Sequence, residues 1–221
     1  MLSYFKNFLS VSLLLLRGST LKKPFSIDIN GSLSVGKNLV VGKNVIFDGD
    51  VIVEDNVTIE NDCFIKDSVL RSGCLIKSFS LIESSQIGSE SFVGPFARVR
   101  GGSSVGARCQ IGNFVEIKES TIAKGCRINH MAFLGDATLE EDVTIGAGTI
   151  TCNHNGLEIK KTFIGAGAYV GSNVNLVAPV AIGSFSTIGS GSTITRSTVE
   201  GKLTLARSRQ ATIDEWNGPK K

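Results

Sequence analysis

Histidine is scarce in this chain: His130 and His154 are the only two among 221 residues. A zinc centre built on three imidazoles therefore has no support in the sequence. The five cysteines (Cys63, Cys74, Cys109, Cys126 and Cys152) are odd in number and never fall in a CxxC spacing. That excludes a zinc ribbon and argues against a disulfide framework. They read as small apolar fillers in a reducing compartment, and no metal site is expected. Aromatics make up 7% of the chain, and its 23 basic residues are scattered among 20 acids. There is neither a stacking platform nor a basic stripe for nucleic acid. The apolar stretch from Phe8 to Leu16 is nine residues long, too short to span a bilayer. Lys6 ahead of it gives the look of a signal-peptide core, but Arg17-Gly18-Ser19-Thr20 offers no small-residue cleavage pattern. The segment is expected to be an apolar helix packed on the domain. With 42% hydrophobic residues and a net charge of +3, the chain has the composition of a soluble domain with a sizeable core.

What the chain does have is a sixfold rhythm. Val35, Val41, Phe47, Val53, Ile59 and Ile65 are six apart, and after a one-residue slip come Leu70, Ile76 and Ile82. A second slip leads to Ile87, Val93, Val99, Val105, Ile111 and Ile117, then to Ile122, Ile128 and Leu134, and then to Leu139, Ile145 and Thr151. The run resumes at Ile164, Val170, Leu176, Ile182, Ile188 and Ile194. Neither a helix nor a simple alternation holds such a spacing. Between the aliphatics sit Gly36-Lys37-Asn38, Gly42-Lys43-Asn44 and Asp48-Gly49-Asp50, residue types that favour tight corners and tolerate positive φ. Each hexad is a short strand and a corner, and three hexads close one triangular coil. Stacked coils make a parallel β-helix with the aliphatics inside. Small residues four positions on, such as Ser91, Ala97 and Ala168, are predicted to point inward where space is tight.

Two features break the rhythm without being needed for packing. One is His130, in an Asn-His-Met step. The other is the polar excursion 153–162, expected to be a loop pushed out of one coil. The predicted organisation is an apolar helix and linker over 1–25, the β-helix over 26–200, and a C-terminal tail over 201–221. In that tail Trp216 reads as a packing anchor.

Four stretches carry a close resemblance: Gly94-Pro95-Phe96-Ala97-Arg98, Ile111 to Glu116 (IGNFVE), Phe133-Leu134-Gly135-Asp136, and Ile145 to Asn153 (IGAGTITCN). The chain resembles the acetyltransferase half of the bacterial bifunctional enzyme that makes UDP-N-acetylglucosamine, from about Leu13 to the C-terminal lysines. The general crossover rule would predict right-handed coils; the resemblance implies the left-handed β-helix of hexapeptide-repeat proteins. It also implies a homotrimer in the cytoplasm, acetyl-CoA as donor and glucosamine 1-phosphate as acceptor. A separate uridyltransferase chain could be a partner, since this sequence has no Gly-rich nucleotide loop. Neither nucleic acid nor a membrane span is expected.

Acetyl transfer to an amine needs a base, oxyanion donors, a grip on the sugar phosphate and a channel for coenzyme A. His130 is the expected base, since a neutral imidazole titrates near working pH. By resemblance, the N–H of Ala147 is an oxyanion donor. Asn153, His154, Ser172, Ser190 and Arg207 fall where the family binds coenzyme A, although a serine at a β-helix corner needs no ligand to explain it. Arg100 and Lys118 match the family's sugar-phosphate cations, where solvated surface charges would be the plain alternative. Phe133, Thr144 and Ile159 stand where the family has Tyr, Asn and Lys. Lys160 or Lys161 is the substitute for the lost cation. A lost neutral hydrogen bond is worth about 0.5–1.5 kcal/mol and a lost bond to a charge about 1.5–3 kcal/mol. The same changes fit a different amino-sugar or sugar-nucleotide acceptor, and a non-catalytic trimeric β-helix remnant is the reading from outside enzymology.

Overall fold

The computed structural model describes residues 2–16 and 18–214. Arg17 and Trp216 lie outside them. The chain winds into a left-handed parallel β-helix of triangular coils. Its first face is an eleven-stranded parallel sheet, beginning at Thr20–Leu21 and ending at Leu203–Thr204. The second and third faces form one seventeen-stranded sheet. They are continuous because Asp28–Val35 and Ile46–Val53 run unbroken round a corner, in register from Asp28↔Ile46 to Val35↔Val53. Later coils turn that corner in separate short strands.

Each strand points one aliphatic inward, and its neighbours face out. Val41, Ile59, Ile76, Val93, Ile111, Ile128 and Val170 stack up the first face, all buried. Burying a side chain of this size stabilises by about 1.5–3 kcal/mol. The slips are absorbed in the corners. Val53 pairs with Leu70 and Ile59 with Ile76, so the inward register survives the missing residue. The corners are tight enough that Asn38, Asn44 and Asn56 take φ of 56°, 53° and 58°, the left-handed region asparagine tolerates.

Ser91, Ala97 and Ala168 are buried at the inward corner positions, and so are Cys63, Cys74, Cys109 and Cys126. Burial pushes the Cys63 thiol up to about 11 and the Cys74 thiol up to about 12. Such thiols are packing atoms, not nucleophiles.

Helix α1 (Leu2–Leu16) covers the open end of the first coil. Val11 and Leu14 are buried, while Asn7 donates to the Ile27 carbonyl at 3.0 Å and accepts from the Ile29 N–H at 2.9 Å. These bonds satisfy backbone groups of the first turn of the solenoid, which has no coil beneath it. The ladder reaches past the sixfold rhythm at both ends: Thr20–Leu21 pairs with Val40–Val41, and Leu203–Thr204 with Thr187–Ile188.

Candidate active site

Parallel stacking converts sequence spacing into columns. The corner between the first and second faces places Asn113, His130, Ala147, Ser172 and Ser190 one above another. Each lies two residues past an inward aliphatic, and those aliphatics pair Ile111↔Ile128, Ile128↔Ile145, Ile145↔Val170 and Val170↔Ile188. Five residues from five successive coils thus share one edge of the prism. Four of them are candidates from the sequence; Asn113 is not.

His130 ends the strand Arg127–His130, and its ring is exposed. Its Nδ1 lies 2.6 Å from Oδ1 of Asn113, directly below in register. An amide oxygen only accepts, so Nδ1 carries the proton and Nε2 presents its lone pair to solvent. That is the tautomer a general base requires. Ala147 stands one coil above. The Gly148 N–H reaches back to the His130 carbonyl at 3.3 Å, while the Ala147 N–H donates to nothing among the described residues. An open backbone donor beside a base is what a developing oxyanion needs. Further up, the Ser190 hydroxyl accepts the Ser172 N–H at 3.1 Å, so these serines already have a corner-closing role. Arg207 follows the last coil and, with Leu205, Ser208, Arg209 and Gln210, lines a pocket of about 350 Å³.

Arg100, Lys118 and Phe133 lie on the second face. Arg100 pairs with Lys118 in register, and Phe133 is the neighbour of Glu116. Glu116 binds the Arg100 Nε at 2.6 Å, which orients the guanidinium and leaves its terminal nitrogens for another anion. Lys118 is mostly covered and is 3.6 Å from Glu119. Thr144 is on the first face, between Arg127 and Tyr169, so it flanks the His130 corner from the side opposite Phe133.

The excursion leaves from a different corner, between the second and third faces. His154 and Ile159 form an antiparallel bridge, Asn155 Oδ1 accepts the N–H groups of Leu157 and Glu158, and Leu157 is 94% exposed at the tip. Lys160 pairs with Glu158 at 2.9 Å, and its N–H donates to the Asn153 carbonyl. Within one chain, then, Asn153, His154 and Lys160 are not brought into the His130 column.

Asp136 closes the base of the loop. Its buried carboxylate accepts the Asn153 side-chain amide at 2.6 Å, and its carbonyl accepts the Thr162 N–H at 3.2 Å, so both ends of the excursion tie to one residue. Thr151, the one hydroxyl in the inward column, bonds the Gly135 N–H at 2.8 Å and donates to the Gly135 carbonyl at 3.0 Å. Asn113, Glu116 and Asp136 were not assigned roles from the sequence. The usable signal was Pro95: it has no N–H for the next coil's corner residue to cap.

A parallel prism with a tautomer-set histidine on one edge and an open amide above it is a left-handed β-helix of six-residue repeats. Residues 161–196 match the family model described as bacterial transferase hexapeptide (six repeats), and residues 29–105 match the GMPPB C-terminal domain. More particularly, the chain is similar to bifunctional protein GlmU. It is 51% identical over 136 residues to that of Polaromonas sp., covering 62% of this chain and 28% of the relative. It is 54% identical over 129 residues to that of Stenotrophomonas maltophilia, covering 58% and 28%. The chain spans less than a third of the length of these relatives. Among solved structures, LpxA from Acinetobacter baumannii shares the fold, with a TM-score of 0.51 and 14% identity over 85% of this chain and 71% of that one.

Proposed function

We propose that the protein is an N-acetyltransferase that moves the acetyl group of acetyl-CoA onto the amino group of glucosamine 1-phosphate. The observation that carries this reading is the 2.6 Å pair of Asn113 and His130 beneath the open Ala147 N–H. In the proposed step, Nε2 of His130 removes a proton from the amine as its nitrogen attacks the thioester carbonyl. The tetrahedral oxyanion accepts from the Ala147 N–H. The carbon–sulfur bond breaks, and the imidazolium returns its proton to the departing thiolate. Arg100 and Lys118 hold the sugar phosphate, with Glu116 fixing the guanidinium plane. Coenzyme A runs up the corner past Ser172 and Ser190 towards Arg207.

We propose a homotrimer, in which Asn153, His154 and Lys160 serve a neighbour's His130 column. The projecting loop supports this reading. So does the row of rings down the His130 corner, Phe79 on Phe96 at 4.9 Å and Phe96 on Phe114 at 5.3 Å, each about half exposed. Contiguous apolar surface of this kind marks an interaction site. The reaction belongs to UDP-N-acetylglucosamine synthesis in the cytoplasm. A different amino-sugar acceptor is the second reading, favoured by Phe133, which has no hydroxyl where the family has Tyr. The deciding assay is thiol release from acetyl-CoA with glucosamine 1-phosphate. Turnover that collapses in His130→Ala supports the assignment. Binding of acetyl-CoA without turnover moves it to another acceptor, and no binding leaves a non-catalytic β-helix.

A further inference from the structure

Helix α1 has two opposed apolar faces, and the β-helix uses one. Asn7, Val11 and Leu14, at i, i+4 and i+7, face the first coil. Leu9, Leu13 and Leu16 occupy the same spacing on the other side and are 48%, 52% and 83% exposed. Beyond the helix, Lys22 and Lys23 are exposed and join Pro24, Phe25 and Ser26 around a shallow pocket of about 430 Å³. The charge is as lopsided as the apolar surface. Residues 1–27 contain Lys6, Arg17, Lys22 and Lys23 and no acid. Of the 23 basic residues, 19 therefore remain for the rest of the chain against all 20 acids. The net positive charge of the protein resides in this one segment.

We infer that this face of α1, with Lys22 and Lys23, docks the protein on an anionic lipid bilayer surface. The leucines enter the headgroup boundary while the lysines meet lipid phosphate, the arrangement of an interfacial helix. No described helix is long and apolar enough to cross a membrane; α1, at 15 residues, is about 22 Å long against a hydrocarbon core of about 30 Å. It lies on the surface instead of spanning it. A second copy of the chain is the disfavoured occupant. Symmetric pairing through this face would bring two acid-free basic segments together with nothing to neutralise them.

The test is co-pelleting of the full chain with phosphatidylcholine vesicles, with and without phosphatidylglycerol. Binding is expected to the anionic vesicles and to weaken with salt. Lys22→Gln and Lys23→Gln should each lower the affinity about fivefold, equivalent to about 1 kcal/mol of surface attraction per lysine. The pair Leu13→Gln/Leu16→Gln should lower it at least about tenfold, with circular dichroism and melting unchanged because both side chains are exposed. Failure to bind anionic vesicles overturns the inference. So does binding that ignores the leucine pair. So does a leucine pair that lowers the assembly mass in lipid-free sedimentation, which would identify another copy as the occupant.

Discussion

Asn61 and Asn113 occupy the same corner column of the same prism and do different work. Asn61 turns its Oδ1 down onto the Lys43 N–H at 3.0 Å, closing a corner of the coil beneath. Asn113 turns its Oδ1 up onto His130 at 2.6 Å. What differs is the residue below. Under Asn61 lies a lysine with a backbone N–H to satisfy. Under Asn113 lies Pro95, placed there by the register Val93↔Ile111, and proline has no N–H. Other corner side chains of the N-terminal coils also serve closure: Asp55 accepts the Lys37 N–H at 2.7 Å, and Glu60 accepts both the N–H and the hydroxyl of Ser78. In the coils around His130 one corner side-chain amide is released from that duty. A binding site here is a local suspension of the scaffold's own hydrogen-bonding pattern.

The strongest way to test that contrast is His130→Ala. Steady-state acetyl transfer should fall about 10²–10⁴-fold, while the unfolding midpoint stays put because the ring is exposed. Asn113→Ala comes next. With the tautomer no longer set, kcat should drop about ten- to a hundredfold, or about 1.4–2.8 kcal/mol of barrier. Asn113→Asp keeps the acceptor and should recover part of the rate. Its negative charge favours the imidazolium, so the acid limb of the pH–rate profile should move to higher pH. If the two variants behaved alike, the positioning role would fall.

Asn61→Ala is the mirror experiment: stability should fall by about 0.5–1.5 kcal/mol in urea titration with the rate untouched. A loss of rate from that variant would erase the distinction between the two asparagines. The smallest effect concerns Glu54. The Arg71 guanidinium at 2.6 Å, aided by the Ser72 N–H, holds its carboxyl below the ordinary value. A depressed folded-state value means its stabilisation is complete above the unfolded value and is lost as pH falls through the folded one. Glu54→Gln should therefore flatten the acid side of the urea-midpoint profile below about pH 4.5, and leave the neutral side only slightly lowered.

Much of this was legible in the chain. The inward aliphatics, the corners, the four one-residue slips and the excursion at 153–162 all follow from six-residue periodicity and turn chemistry. Four of the five cysteines expected to be fillers, Cys63, Cys74, Cys109 and Cys126, are buried, and Cys152 is only partly covered. His130 stood out against the repeat, and Ala147 came from the resemblance alone. The partners did not. Nothing near Glu116 in sequence announces Arg100, and nothing near Asp136 announces that it fastens both ends of the loop.

The sequence by itself determined the cross-section: which residue of each hexad is buried and where each corner bends. Those are local choices, made by burial and by backbone tolerance within six residues. Only the tertiary structure decided which corners meet. Residues one coil apart are separated by 18 positions at Val41 and Ile59, 17 at Ile128 and Ile145, and 25 at Ile145 and Val170. Every slip and excursion shifts that sum. Whether an asparagine finds a backbone amide, a proline or a histidine on its neighbouring coils depends on the whole register between them, and so does the identity of the site.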